Sequence, residues 1–170
     1  MKKAWILAAT GLLTIVLALG AVACSDDDDD GGGGSTTPDA TEPVSETPGA
    51  TVSVTLAEYT ISPDPAAVAP GPVTFTASNI GGTVHELVVF KTDLAPEALP
   101  TADDGSVNEA GEGVVLIGEV EDVEAGAEGE FSVDLEAGAY ALICNVVQDN
   151  EDGTTTIHYA EGMYVPFTVE

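Results

Sequence analysis

From about Ala50 onward the apolar residues fall in short runs rich in Val, Thr, Phe and Tyr, separated by Gly, Pro and Asp. The runs Val52 to Ile61, Val73 to Asn79, Val84 to Lys91, Val114 to Glu121, Gly129 to Leu135, Ala139 to Val147 and Met163 to Val169 have the length and composition of strands. Several alternate with period two. Phe131, Val133 and Leu135 share one face, as do Tyr140, Leu142 and Cys144, and as do His85, Leu87 and Val89. Pro63, Pro65, Pro70, Gly71 and Pro72 punctuate the first connection, and Ala125-Gly126 and Ala137-Gly138 mark later turns. No helical stripe is sustained in this part of the chain. The pattern predicts an all-β domain over residues 51–170, a Greek-key β-sandwich of about seven to eight strands. One connection is long: Thr92 to Gly113 reads as a surface excursion, with one helical turn possible at Ala95 to Leu99.

The beginning of the chain follows different rules. Met1-Lys2-Lys3 is basic and Ala4 to Gly20 is almost wholly apolar, the layout of an export signal over residues 1–23. Ala21-Val22-Ala23-Cys24 resembles the lipobox of bacterial lipoproteins, which implies a lipidated Cys24 as the first mature residue; Ala21 departs from the usual leucine. Ordinary cleavage and an uncleaved anchor helix are the rival readings. Residues 24–50, with the Asp26 to Asp30 run and the Gly31 to Gly34 run, have almost no apolar residues and no periodicity, so a disordered tether is expected. A flexible coil of that length spans roughly 25–30 Å. The domain is therefore expected to be held by a lipid anchor at the outer face of the cytoplasmic membrane, in a periplasmic or extracellular setting.

Charge narrows the partners. Thirty acidic residues stand against three basic ones, a formal net charge of -27, and Lys2 and Lys3 lie in the signal segment. Nucleic acid and anionic lipid surfaces would repel such a chain, whereas a cation or a basic protein is favoured. Solubility or adaptation to salt explains the acidity equally well.

With Cys24 assigned to lipid, Cys144 has no intrachain disulfide partner. An unpaired thiol in an oxidising compartment needs burial, or a use such as metal ligation. After residue 24 the chain holds two histidines, one cysteine and one methionine: His85, Cys144, His158 and Met163, in that order. Two neutral imidazoles, a thiolate and a weak axial thioether are the donor set of a blue-copper electron-transfer site. Other chemistries fit worse. No Ser-His-Asp order stands out, Asp149 to Gly153 lacks the alternating ligands of a calcium loop, and no glycine loop is placed to cradle phosphate. No enzymatic activity is expected.

Three segments, Ser78-Asn79-Ile80-Gly81-Gly82-Thr83-Val84-His85-Glu86, Gly138-Ala-Tyr140-Ala-Leu-Ile-Cys144-Asn145 and His158-Tyr159-Ala160-Glu161-Gly162-Met163-Tyr164, resemble the cupredoxins, the family of plastocyanin and azurin. The resemblance covers about 120 residues, from Val52 to Glu170. It implies one type 1 copper held by the His85 and His158 imidazoles, the Cys144 thiolate and the Met163 thioether, in a monomer that passes single electrons to a redox partner. A hydrogen bond from the region of Asn79 would serve the sulfur.

The chain departs from the family in spacing. Thirteen residues separate Cys144 from His158, where two to four are usual. They are patterned as a hairpin, Val146-Val147-Gln148 against Thr154-Thr155-Thr156-Ile157 around Asn150 to Gly153. Centring its turn on Glu151 places Cys144 opposite His158, so ligation is expected to survive the insertion. The acidic tip, Asp149, Glu151 and Asp152, would steer a partner with a basic docking patch, or is neutral decoration. Two further functions remain open: Cu(I) delivery or storage without electron transfer, and a metal-free β-sandwich acting as a binding module.

Overall fold

The computed structural model describes residues 49–170. The expectations for the signal segment, Cys24 and most of the tether concern residues outside that range. Among the described residues no helix is long and apolar enough to cross a membrane. The strands are β1 (Ala50–Ala57), β2 (Thr60–Asp64), β3 (Ala67–Val68), β4 (Gly71–Asn79), β5 (His85–Lys91), β6 (Val115–Val123), β7 (Glu128–Leu135), β8 (Gly138–Ile143), β9 (Val147–Asp149), β10 (Thr155–Ile157) and β11 (Tyr164–Val169). They form a four-stranded sheet, order β2-β1-β4-β7, a five-stranded sheet, order β3-β11-β8-β5-β6, and the separate hairpin β9-β10. Pairing is antiparallel except for β1 with β4 and β3 with β11.

The sandwich is all-β as expected, and its strand number is higher because several pieces are short. The run Val52 to Ile61 is two strands, β1 and β2, folded back at Glu58 and Tyr59. Nothing in the sequence marks that turn, since Tyr59 takes the left-handed φ of 57° that Gly or Asn usually supplies.

Alternation builds the core. Val52, Val54 and Leu56 of β1 and Val73, Phe75 and Ala77 of β4 point inward from the first sheet. Leu87 and Val89 of β5, Tyr140 and Leu142 of β8, and Phe167 and Val169 of β11 meet them from the second. Phe75 stacks on Phe131 at 5.3 Å and meets Phe167 edge-on at 5.6 Å, which joins the layers. Phe131 and Val133 also lie over Gly118 of β6, where a Cβ would come within 3.0 Å of both.

Strands β5 and β8 are buried on both faces. Their other side, Val88, Phe90, Ala141 and Ile143, packs under Leu99, Val107, Val114 and Tyr159. The long connection is thus a cover for the second sheet. It includes the single turn, a 3-10 turn at Pro96–Ala98. The Tyr159 hydroxyl donates to the Pro96 carbonyl at 2.8 Å and accepts the Leu99 N–H at 3.1 Å. Asn145 clasps Val107 by accepting its N–H at 2.6 Å and donating to its carbonyl at 3.0 Å.

Candidate metal centre

His85 opens β5, Cys144 follows the last residue of β8, and His158 and Met163 bound the loop between β10 and β11. Because β8 lies between β5 and β11, all of these converge at one end of the sandwich. Hydrogen bonds between their own backbones lock the arrangement. Cys144 N–H donates to the Met163 carbonyl at 3.0 Å, and Met163 N–H to the His158 carbonyl at 3.1 Å.

The side chains of His85, Cys144, His158 and Met163 are wholly buried. His85 Nδ1 lies 3.1 Å from His158 Nδ1, and Cys144 Sγ lies 3.3 Å from His158 Nδ1 and 3.9 Å from His85 Nδ1. Met163 packs in the same cluster as Cys144. Sequence order and strand register therefore bring together the three strong donors, and Met163 is joined to Cys144 through its backbone carbonyl, with its side chain buried in the core.

The hairpin β9-β10 forms as expected, but its pairing is two residues away from the expected register. Its pairs are Thr155 with Asp149, Thr156 with Gln148 and Ile157 with Val147, so the turn centres on Asp152 rather than Glu151. His158 N–H consequently bonds the Val146 carbonyl at 3.0 Å, and Cys144 is not its backbone partner. The reason lies in the tip. Asn150 N–H bonds the Thr154 carbonyl, Gly153 N–H bonds the Asn150 carbonyl, and Gly153 takes a φ of 82°. The thiol still reaches the imidazole, because the side chains close a gap that the backbone register leaves.

Asn79 does not serve the sulfur. Its side chain donates to the carbonyls of Thr83 and Val123 and accepts the Gly81 N–H, which ties down the loop before His85. The sulfur instead receives the Glu86 N–H at 3.4 Å. The register shift between His85 and Leu87 in the β5–β6 ladder marks an irregularity at this residue. Glu86 also accepts the Asn145 N–H at 2.7 Å, so it fastens β5 to the end of β8. Burial, opposed by that hydrogen bond and aided by Glu109, Glu119 and Glu121, raises the Glu86 carboxyl to about 7.

Gln148, in the insertion, was not foreseen as a site residue. Its Oε1 lies 3.2 Å from His158 Nε2, and its Nε2 donates to Asn150 Oδ1 at 3.0 Å. Asn150 in turn donates to the hydroxyls of Thr154 and Thr156. This run of bonds turns the Gln148 oxygen toward the ring, which makes His158 Nε2 the protonated nitrogen and leaves a lone pair on Nδ1. Tyr59 closes the other side of His158, edge-on at 5.4 Å.

Electrostatics suit a cation. Burial lowers both histidines; Glu58 opposes this at His85, and at His158 the His85 ring adds to it. Both imidazoles are therefore neutral at pH 7. Burial pushes the Cys144 thiol up to about 12 despite N–H bonds from Glu86 and Val146. A cation among the two Nδ1 atoms and the sulfur would displace the thiol proton and satisfy the donors together. Two imidazoles, one thiolate and a nearby thioether fit type 1 copper better than a hard, oxygen-seeking ion.

The described residues thus form a two-sheet β-sandwich with a buried cluster of two imidazoles and a thiol at one end. No protein-family model matches the chain, and no curated protein matches it in sequence. Solved structures similar to it include auracyanin A, a "blue" copper protein from Chloroflexus aurantiacus, at 20% identity and TM-score 0.49, covering 72% of this chain and 99% of that one. Auracyanin from Roseiflexus castenholzii stands at 18% and 0.48, covering 71% and 96%. Rusticyanin from Thiobacillus ferrooxidans stands at 16% and 0.47, covering 71% and 77%.

Proposed function

We propose that this chain is a blue-copper electron carrier, tethered by a lipid on Cys24 to the outer face of the cytoplasmic membrane. The observation that carries the reading is the cluster of His85 Nδ1, His158 Nδ1 and Cys144 Sγ, all buried and all within 4.8 Å of one another. His85, His158 and Cys144 would hold the copper, with the buried Met163 thioether as a weak further donor. Copper in such a site carries one electron by alternating between Cu(II) and Cu(I). The protein keeps water out, fixes the ligands on strand ends and supplies an N–H to the sulfur. A site with no exposed ligand atom favours electron transfer over Cu(I) delivery, because handing over an ion requires ligands that a partner's groups can reach.

A redox protein with a basic patch is the proposed partner. A cleft of ≈ 330 Å³ lined by Gly82, Thr83, Val84, Glu124, Val146 and Gln148 flanks the site. Gln148 reaches from it to His158, and the exposed acidic residues Asp149, Glu151 and Asp152 follow Gln148 along the same hairpin. Carboxylates around an electron exit attract a basic partner and raise the encounter rate.

Titration of the purified chain with Cu(II) tests the reading. One equivalent should produce an intense thiolate-to-copper absorption band, absent from Cys144→Ser, together with the paramagnetic signal of Cu(II). Tight Cu(I) binding without that band would favour copper handling, and binding of neither ion would leave a metal-free sandwich.

A further inference from the structure

The two imidazoles are oriented unequally. His158 is held from behind by Gln148, but His85 Nε2 is buried without a hydrogen-bond partner among the described residues. The charged group nearest it is Glu58, whose Oε1 lies 4.0 Å away. That oxygen is itself anchored, since it accepts the N–H groups of Gly82 and Thr83. Gly81 permits the approach: a Cβ there would stand 2.8 Å from the same oxygen. The turn carrying Glu58 is also strained, because its second residue, Tyr59, takes a φ of 57° and packs against His158. An unfavourable backbone conformation kept in place beside a site points to a use for the turn.

We propose that Glu58 is a positioning residue for the metal centre: its carboxylate holds His85 as the Nε2–H tautomer and so turns the Nδ1 lone pair toward Cys144 and His158. A neutral imidazole carries one proton on one of its two nitrogens. A lone pair on Nε2 would face an anion across 4.0 Å, whereas an N–H there is attracted to it. The competing arrangement, a proton on one Nδ1 shared across the 3.1 Å between the two rings, is what the Glu58 charge must outweigh. That distance is too long for a hydrogen bond, so the effect is electrostatic, and a small movement of either group would close the bond. A carboxylate behind a ligating imidazole fixes both its tautomer and its direction. Glu58 thus does for His85 what Gln148 does for His158. The use of this device rests on the copper reading; its test does not.

The experiment is ¹⁵N NMR of the imidazoles in the metal-free full chain, in the wild type, Glu58→Gln and Glu58→Ala, followed by copper affinity. Wild-type His85 should carry its proton on Nε2. Glu58→Gln keeps an oxygen for Gly82 and Thr83 but loses the charge, so the His85 ¹⁵N shifts should move toward averaged tautomers. Glu58→Ala should move them further, and neither variant should move His158. Copper affinity should fall on the order of 10–100-fold in Glu58→Ala. A wild-type His85 protonated on Nδ1 overturns the proposal, as do wild-type His85 shifts in Glu58→Gln. Lowered thermal stability in Glu58→Ala with an unchanged His85 tautomer would assign Glu58 to tying the loop alone, against the proposal. If the chain binds no copper, the tautomer result still decides the role of Glu58, and only the copper reading fails.

Discussion

Met163 is wholly buried beside Cys144, and a thioether in that place has two separable roles. As packing, it is replaceable: a Met-to-Leu exchange of similar volume costs less than about 1.5 kcal/mol in a core. As an axial donor it is not, because leucine offers no lone pair. Met163→Leu should therefore leave the metal-free protein folded, within that margin in a urea titration, and still able to bind copper through the other three residues. Its reduction potential should rise, since the lost donor favoured Cu(II). An unchanged potential would remove Met163 from the copper's surroundings. Cys144 contrasts with it, because there the same atom that packs the core would also be the strongest donor to a copper ion.

Among the elements, the excursion between β5 and β6 is the least expected. It closes the outer side of the second sheet through Leu99 and Val107, and Asn145 is its clasp. Asn145 also neighbours Cys144, so the clasp ties the cover to the strand end that presents the thiol. Asn145→Ala would leave the Val107 N–H without its acceptor, at about 1–3 kcal/mol. Native-state hydrogen exchange should then show lost protection at Leu99 and Val107 while β5 and β8 keep theirs. Uniform loss across the sheet would mean that the cover and the sandwich unfold as one unit. The inserted hairpin is a second added element, and its contribution is inward: through Gln148 it orients the His158 ring.

For the molecule as a whole, charge dominates. Lys91 is the one basic residue after residue 3, and it is paired with Glu136 at 2.6 Å. Self-repulsion should destabilise the compact state at low salt, and screening should relieve it, because the Debye length falls from about 30 Å at 0.01 M to about 3 Å at 1 M. The thermal midpoint of the metal-free chain should accordingly rise over that range. Electron-transfer rates to a basic partner should fall steeply over the same range if the same carboxylates steer it. A rising midpoint with flat rates would assign the acidity to solvation or salt adaptation rather than to partner recognition.

The sequence by itself determined the class of fold and the inward faces of most strands, and it singled out the candidate donors. Period-two alternation is a local consequence of strand geometry, and His85, Cys144, His158 and Met163 are the residues after residue 24 with soft or borderline donor atoms. The tertiary structure alone decided what surrounds those donors. The turn at Glu58 and Tyr59 was hidden because a tyrosine occupies a left-handed position. The hairpin register depended on bonds made by Asn150 and Gly153 at its tip, which residue pattern does not fix. Asn79 was expected at the sulfur and ties a loop instead, because a side-chain amide finds its partners in space rather than along the chain. Glu58, Glu86 and Gln148 lie 27, 58 and 10 residues from the atoms or rings they serve. Such contacts become visible only when strands from separate parts of the chain are stacked, since hydrogen bonds and charge act through distance in space.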